Sequence, residues 1–210
     1  MNHAVLAFTF PGFRWLLDPP APDSTPASPL EVDDEDSTLL RRAAAGDQTA
    51  WQDLFTRWKK PLLSFFYRSL GSMPDAEDLT LEVFVRLHRA APRYERRSRF
   101  TTFLFHIARN LLLNELRRRR RKPAQTVPPD AFDYFESTAA AEPMRLHELE
   151  EEFQRALGEL PEAQRTLLLL VQQQALDYPA AADTLGITEN ALRVQLHRAR
   201  QRLKELMSRP

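Results

Sequence analysis

Residues 160–209 constrain the fold more than any other stretch of the chain. Apolar residues recur there at intervals of four, three, four and three, the spacing of one helical face: Leu192, Leu196, Ala199, Leu203 and Leu206. Arginine and lysine fall on the other faces. Thr188 precedes the stripe and can accept a hydrogen bond from the free N–H groups of a first turn. The stretch therefore predicts a basic amphipathic helix that begins near Thr188.

A short helix is predicted immediately before this basic helix. Residues 179–185 allow about two helical turns before Gly186, a residue type that ends helices because it accepts a left-handed backbone. Ala182 places a small side chain where the two helices would cross. This order is that of a helix-turn-helix, whose second helix enters the DNA major groove. Taken alone, the stretch also allows an ordinary helical hairpin with a solvated charged face.

Charge is distributed unevenly although the formal net charge is zero. Residues 86–122 carry 13 Lys or Arg against two Glu, whereas residues 1–40 carry seven acids against one Arg. Such segregation indicates separate surfaces for different partners.

The chain has no Cys, which excludes disulfides and thiolate metal sites and fits a reducing compartment. We therefore expect a cytoplasmic protein.

Proline-rich segments divide the chain into two domains. Residues 1–36 contain six prolines and end in an acidic run, which predicts a disordered tail. Its apolar start is broken by Pro11, Gly12 and Arg14 and is too short to span a membrane, so no membrane insertion is expected. Residues 123–143 contain four prolines and no helical period, and predict a flexible linker. We expect an all-α chain with small helical domains at 37–122 and 144–210.

Capping residues and apolar spacing outline four helices in the first domain. Ser37 predicts the start of a short helix, Asp47 caps a long aromatic one, and a third covers residues 75–89. The fourth, over residues 98–121, turns apolar residues inward: Phe100, Phe103, Leu104, Ile107, Leu111 and Leu116. Its other face carries Thr101, Thr102, His106, Arg109, Asn110 and Asn114. Because Asn pairs with base edges and Arg with phosphates, this face can hold nucleic acid.

Catalytic chemistry finds little support in the sequence. The five glycines make no phosphate-binding loop, and the five histidines are scattered along the chain. Acidic residues gather at the start of the third helix, but no His or Cys stands beside them at metal-ligand spacing. We expect no enzyme activity, metal or cofactor. The acidic cluster fits a solvated helix start, or a docking surface for a basic partner.

Five segments, in order, resemble bacterial sigma factors of the extracytoplasmic-function (ECF) group, the promoter-recognition subunits of RNA polymerase. They are GDQTAWQDLF, DAEDLTLEVFVRLHRA, FTTFLFHIARNLLLNELRRRRR, LPEAQRTLLLL and LGITENALRVQLHRARQRLKEL. The resemblance implies a region 2 helical bundle at 37–122 and a region 4 helix-turn-helix at 144–210. It also implies three partners: core RNA polymerase (the beta-prime clamp helices and the beta flap), promoter DNA and an anti-sigma factor.

The same resemblance assigns roles to individual residues. Contact with core polymerase would fall to Asp75, Asp78, Leu81, Glu82 and Phe84, with Leu81 standing where Gln is usual. Contact with the −10 element would fall to Tyr94, Arg96, Arg97, Ser98, Thr102, Arg109, Asn110 and Asn114. Contact with the −35 element would fall to Thr188, Arg193, Val194, Gln195, His197 and Arg198.

Two departures from the family pattern predict unusual promoter preferences. Arg96 and Arg97 replace a frequent Gly and acidic residue in the −10 loop, and Val194 and Gln195 replace a common Ser-Arg pair. Gln can bond bidentately to adenine, and Val can pack on a thymine methyl group. The alternative function is a stand-alone helix-turn-helix regulator. That alternative explains the second domain but leaves the acidic third helix and the basic loop unexplained.

Overall fold

The computed structural model describes residues 35–95, 99–121, 143–173 and 176–208, and within these ranges the chain is helical with no β-strand. The segment predicted as the first domain contains α1 (Glu35–Ala44), α2 (Gln48–Leu70), α3 (Met73–Ala90), a 3-10 turn (Ala91–Arg93) and α4 (Phe100–Arg121). The second contains α5 (Pro143–Glu159), α6 (Glu162–Leu168), a π-helical turn (Leu169–Gln173), α7 (Tyr178–Leu185) and α8 (Glu189–Met207). The all-α prediction is confirmed. The predicted tail and linker lie almost entirely outside the described residues.

Two predicted helix starts are confirmed by their capping bonds. The Asp47 carboxylate accepts hydrogen bonds from the backbone N–H groups of Thr49 and Ala50, at 3.0 and 3.2 Å. Those bonds and the adjacent Arg42 guanidinium hold the pKa of Asp47 below its usual range. The Thr188 hydroxyl accepts from the N–H of Ala191 at 3.2 Å, so α8 begins as predicted.

The start of α1 differs from its prediction. The helix begins at Glu35, and Ser37 is not its cap but a buried residue whose hydroxyl lies 3.1 Å from that of Tyr94. The reason is electrostatic, because carboxylates are favoured at a helix N-terminus. Glu35 and Asp36 occupy the first turn and both receive hydrogen bonds from Arg57 of α2, at 2.9 and 2.6 Å.

The turn between α7 and α8 depends on the left-handed backbone of Gly186, which has φ +68°. Its own N–H and that of Ile187 close the end of α7 on carbonyl groups of the preceding turn. A Cβ atom added at Gly186 would meet nothing within 4 Å. The constraint on this residue is therefore conformational, not steric.

This backbone constraint predicts opposite outcomes for two glycine-to-alanine changes. Gly186→Ala is expected to lower the free energy of unfolding by about 1 kcal/mol, because L-residues are disfavoured in the left-handed region. Gly158→Ala, within α5 and equally free of clashes, is expected to raise it by about 0.5 kcal/mol through helix propensity. Urea unfolding followed by circular dichroism measures both values. A stabilising Gly186→Ala would contradict the explanation.

The two domains share one continuous apolar core in the described part of the chain. Helix α7 packs against α4, while α5, α6 and the π-helical turn pack against α2. In α8, the whole predicted stripe is buried, which confirms its inward face. Leu157 of α5 and Leu170 of the π-helical turn are fully buried. The second domain therefore lies directly on the first.

Arginine side chains make most of the polar contacts across this domain interface. Arg68 and Glu150 form an ion pair at 2.8 Å, and their side chains are only 18% and 12% exposed. Arg165 donates to the Ser69 carbonyl at 2.7 Å. On the outer edge, Arg120 pairs with Glu162 at 2.5 Å.

Several buried polar atoms at the same interface have no hydrogen-bond partner among the described residues. They are Arg68 Nε, Glu150 Oε2, Gln154 Oε1, Gln164 Oε1 and Arg165 Nε. Burial lowers the pKa of both the Arg68 and the Arg165 guanidinium groups, since a charged group loses solvation there. This loss of solvation offsets part of the free energy gained by burying the apolar surface of the interface.

Candidate nucleic-acid and protein interfaces

The outward face of α8 carries most of the residues predicted to contact the −35 element. Arg193, Val194, His197 and Arg198 are exposed and Gln195 is half-buried, while the opposite stripe anchors the helix in the core. Thr188 is exposed at the cap. The geometry thus leaves a polar helix face free of the core, which is what major-groove entry requires.

Asn190 was missed by the sequence reasoning. It is exposed in the first turn of α8, three and four residues before Arg193 and Val194, and so shares their face. Asn is a residue type that bonds bidentately to adenine. Its position in the sequence could have identified it, because the N-terminal residues of a recognition helix are the ones that contact base edges.

The Arg193 guanidinium is held by two neighbouring side chains. Its carbon lies 5.1 Å from the ring centroid of Tyr178, the first residue of α7. One nitrogen lies 3.8 Å from a carboxylate oxygen of Glu189, one turn earlier in α8. Arg193 therefore has a defined position although its side chain is 44% exposed.

The polar face of α4 is partly covered by the second domain. Arg109 donates a hydrogen bond to the Leu185 carbonyl at the end of α7, at 3.2 Å. Burial, and secondarily the charge of Arg117, lowers the pKa of Arg109. Asn114 is exposed and accepts a hydrogen bond from Arg117, while Asn110 is half-buried and bonds to His106. In this arrangement the second domain takes up part of the Arg109 guanidinium.

Thr102 does not lie on that face, contrary to the prediction. It is 5% exposed and packs on the core side of α4, together with Phe105 and Ala108. The physical reason is that α4 is covered by more than one neighbour, α3 and α7 among them. Its buried surface is therefore wider than the single stripe that the apolar spacing predicts.

A basic and aromatic cleft lies where α3 and the 3-10 turn approach α4. It has a volume of about 650 Å³ and is lined by Arg86, Arg89, Ala90, Arg93, Tyr94, Glu95 and Phe103. The rings of Tyr94 and Phe103 lie 5.0 Å apart. Of the predicted −10 residues, Tyr94 lines this cleft, whereas Arg96, Arg97 and Ser98 lie outside the described residues. The sequence did not assign the three arginines to a site, and it predicted Phe103 to face the core.

The exposed face of α3 combines acids with apolar residues. Asp78, Leu81 and Val85 are exposed and Glu82 is half-buried, and these four share one helical face. Leu81 and Val85 are 53% and 42% exposed, which is unusual for large apolar side chains. Asp75 is tied to Arg119 of α4 by an ion pair. Four of the five residues predicted to contact core polymerase thus lie on or beside this face.

Phe84 is the exception, because it is buried in the domain core. Its ring packs on that of Phe55 at 4.7 Å. Both rings form part of an apolar groove of about 690 Å³ between α2 and α3. Leu81, Val85 and Trp51 also line the groove, and Trp51 stacks on His88 at 5.0 Å. Phe84 therefore lies beneath the predicted contact surface instead of projecting from it.

Two further features are absent from the described part of the chain. No group of three metal-ligating side chains comes together there. No helix in the same ranges combines the length and the apolar composition that crossing a bilayer requires.

Family models match both halves of the chain. A model described as "Sigma-70 region 2" matches residues 54–122, and one described as "Sigma-70, region 4" matches residues 150–203. The first match covers α3, α4 and most of α2, and the second covers most of the helices from α5 to α8.

Similar proteins span most of the chain. It is 31% identical to "ECF RNA polymerase sigma factor SigE" of Mycolicibacterium smegmatis, over 86% of this chain and 71% of that protein. It is 33% identical to "ECF RNA polymerase sigma factor SigF" of Caulobacter vibrioides, over 81% and 93%. A solved structure of the sigma factor RpoE from Bartonella quintana, in complex with the anti-sigma factor NepR, shares the fold with a TM-score of 0.61. That match has 21% identity and covers 74% of this chain and 95% of that one. Its motifs, its fold and these relatives together establish that the chain belongs to the ECF family of RNA polymerase sigma factors.

Proposed function

We propose that this sigma factor binds core RNA polymerase through the groove between α2 and α3 and reads promoters with α8 and the first domain. The observation that carries the proposal is the outward face of α8, an exposed polar surface on a capped and firmly buried helix. The protein acts by binding alone, in the cytoplasm, without a catalytic residue, metal or cofactor of its own. The two domains correspond to residues 37–122 and 144–210, with the Pro-rich tail and linker outside them.

At the −35 element, α8 enters the major groove with its N-terminal half. Val194 can pack on a thymine methyl group and Gln195 can bond to adenine. Asn190 is exposed one turn before Val194 and can join these contacts. Thr188, His197 and Arg198 contact the flanking backbone, where contacts fix position more than sequence. The motif read by this helix should therefore differ from one read by the family's usual Ser-Arg pair.

At the −10 element, the cleft beside Tyr94 receives a base turned out of the duplex. Extruding a base costs a few kcal/mol, and stacking on an aromatic ring returns about 1–3 kcal/mol per base. Tyr94 and Phe103 supply the rings, and Arg86, Arg89 and Arg93 supply positive charge for the phosphates. Arg96, Arg97 and Ser98 would extend the cleft, and Arg109, Asn110 and Asn114 would continue its path along α4. Thr102 supports α4 from inside.

On the polymerase side, the groove fits a helix that carries both apolar and basic residues. Leu81 and Val85 are exposed at its rim, with Asp78 and Glu82 on the same face. Buried apolar contacts give affinity, while the flanking charges set the orientation. The beta-prime clamp helices are the proposed partner here. The second domain is proposed to meet the beta flap.

Promoter binding requires the two domains to separate. The −10 and −35 elements lie about 25 base pairs apart, which is about 80 Å of B-DNA. We call the arrangement in which the second domain lies on the first the closed arrangement. In it, α7 packs on both α4 and α8. At the usual interhelical distances, α4 and α8 therefore lie about 20 Å apart. Residues 122–142 can reach about 70 Å when fully extended. The distance between α4 and α8 must grow by about 60 Å, which lies within this reach, so the linker is long enough to permit the separation.

The closed arrangement also suggests how an anti-sigma factor would act. With Arg109 bonded to Leu185, the −10 face of α4 is covered by the first helix of the helix-turn-helix. A partner that stabilises this arrangement would block DNA binding without contacting any base-reading residue. We propose such a partner for this chain, in keeping with the complex formed by RpoE of Bartonella quintana.

The proposed function is tested by run-off transcription from a promoter library, with core polymerase and with or without this protein. We expect promoter-dependent transcripts only when the protein is present, and aligned start sites to give both promoter motifs. Gln195→Ala should then lose about 1–3 kcal/mol of discrimination at one −35 base pair, with core binding unchanged. Gln201→Ala, an exposed glutamine farther along α8, is the matched control.

Two outcomes would contradict parts of this proposal. An equal loss on all promoters with Gln195→Ala would mark Gln195 as a backbone contact instead of a base reader. Absence of transcripts, together with specific duplex binding by the protein alone, would favour the stand-alone regulator.

A further inference from the structure

The contact between Tyr178 and Arg193 joins the two helices of the helix-turn-helix. Tyr178 opens α7 and is half-buried, and Arg193 lies one turn into α8. The guanidinium carbon lies 5.1 Å from the ring centroid, within the range of a cation–π interaction.

Stacking on a ring face leaves the hydrogen-bonding edge of a guanidinium free. Arg presents five N–H donors in the plane of its guanidinium, and a ring that lies against the face of that plane uses none of them. Glu189 approaches one nitrogen at 3.8 Å, too far for a hydrogen bond. The cation–π contact supplies no oxygen acceptor to Arg193, and its side chain is 44% exposed, so guanidinium donors remain for DNA.

Holding a long side chain in place also reduces the entropy lost on binding. Arg is among the side chains that lose most rotamer freedom when ordered. An arginine that is already ordered in the free protein loses less of this freedom when it meets DNA. Such preordering favours sites whose acceptors match the fixed position, so it acts on specificity as well as affinity.

We infer that Tyr178 is a positioning residue for −35 recognition, which aims Arg193 at its DNA acceptors through the cation–π contact. The inference rests on the proposed role of α8 as the −35 reader. It adds a residue of the first helix of the motif to the recognition apparatus. Tyr178 need not contact a base to have this effect.

The test is a double-mutant cycle on holoenzyme assembled from core polymerase and the full chain. The probe is a promoter fragment selected by the wild-type holoenzyme, compared with the same fragment carrying a scrambled −35 element. We expect Tyr178→Leu to lower the selected-to-scrambled affinity ratio by about 3- to 5-fold, the size of an exposed cation–π contact. Tyr178→Phe keeps the aromatic face and should retain the wild-type ratio. In an Arg193→Ala background, Tyr178→Leu should have no further effect.

Each outcome distinguishes the inference from a structural role and from the proposed function. If Tyr178→Phe and Tyr178→Leu lower the affinity ratio equally, Tyr178 acts through packing and the inference is wrong. The same holds if Tyr178→Leu still lowers the ratio in the Arg193→Ala background. An unchanged ratio in Tyr178→Leu, with its thermal unfolding midpoint preserved, also overturns it. Failure of the wild-type holoenzyme to prefer the selected fragment would instead count against α8 as the −35 reader.

Discussion

A covalent tie between the two domains is expected to abolish promoter-dependent transcription. The chain contains no cysteine, so Arg120→Cys with Glu162→Cys creates a single reactive pair at the outer edge of the interface. The side chains of these residues touch in the closed arrangement, within reach of a short bismaleimide with a disulfide in its spacer. Because the closed arrangement cannot span both promoter elements, we expect transcription to fall more than about tenfold.

The cross-link is reversible, which supplies its own control. Reduction of the spacer should restore transcription to the level of the two single-cysteine variants treated with the same reagent. Capture of core polymerase should persist in the cross-linked chain, because the groove between α2 and α3 lies away from the tied residues. Full transcription by cross-linked protein would show that separation of the domains is not required.

The second large effect is expected on polymerase binding. The double change Asp78→Lys and Glu82→Lys reverses the charge beside the exposed Leu81 and Val85. Placing lysines against a basic partner costs about 2–3 kcal/mol, so affinity for core polymerase should fall about 100-fold. Competition for core polymerase against labelled wild-type protein measures this loss directly.

A charge-matched variant distinguishes an effect of this surface on affinity from an effect of the overall charge. Asp53→Lys with Glu159→Lys makes the same change in net charge at exposed residues outside α3 that do not line the groove. It should bind core polymerase like the wild type. Unchanged affinity in the Asp78→Lys and Glu82→Lys variant, or an equal loss in both variants, would remove this face of α3 from the interface.

Local signals predicted the second domain well because they act within a few residues. The Thr188 cap, the Gly186 turn and the buried stripe of α8 all depend on interactions inside one or two turns of helix. Asp177 was missed as the cap of α7, although its carboxylate accepts from the Ala180 N–H at 2.8 Å. An Asp before a predicted helix is the signal that identifies it.

Apolar periodicity mispredicted the exposed face of a helix that is covered on more than one side. In α4, the predicted polar face includes Thr102, which is buried, and Arg109, which is bonded to the other domain. The resemblance, not periodicity, assigned Phe84 to the polymerase contact; its ring packs on Phe55, about thirty residues away in sequence, and lines the groove between α2 and α3. A one-dimensional pattern gives the phase of a helix, not the number of neighbours that surround it.

The closed arrangement of the domains could not be predicted from sequence. Its polar contacts join residues far apart in the chain, such as Arg165 with Ser69 and Arg109 with Leu185. When an arginine donates to a backbone carbonyl, the sequence contains no complementary acidic residue from which the contact could be predicted. The apolar residues of α5 and the π-helical turn do predict burial, but not the surface against which they pack.

The arginine-rich domain interface gives ionic strength two opposing roles in initiation. Salt screens exposed charges over about 10 Å at 0.1 M, which weakens the Arg120–Glu162 pair at the rim of the interface and favours separation of the domains. The same salt weakens the hold of arginines on DNA phosphates. High salt thus favours separation of the domains, whereas low salt favours tight DNA binding. Transcription directed by this sigma factor should be greatest at an intermediate concentration, set by a contact that never touches the promoter.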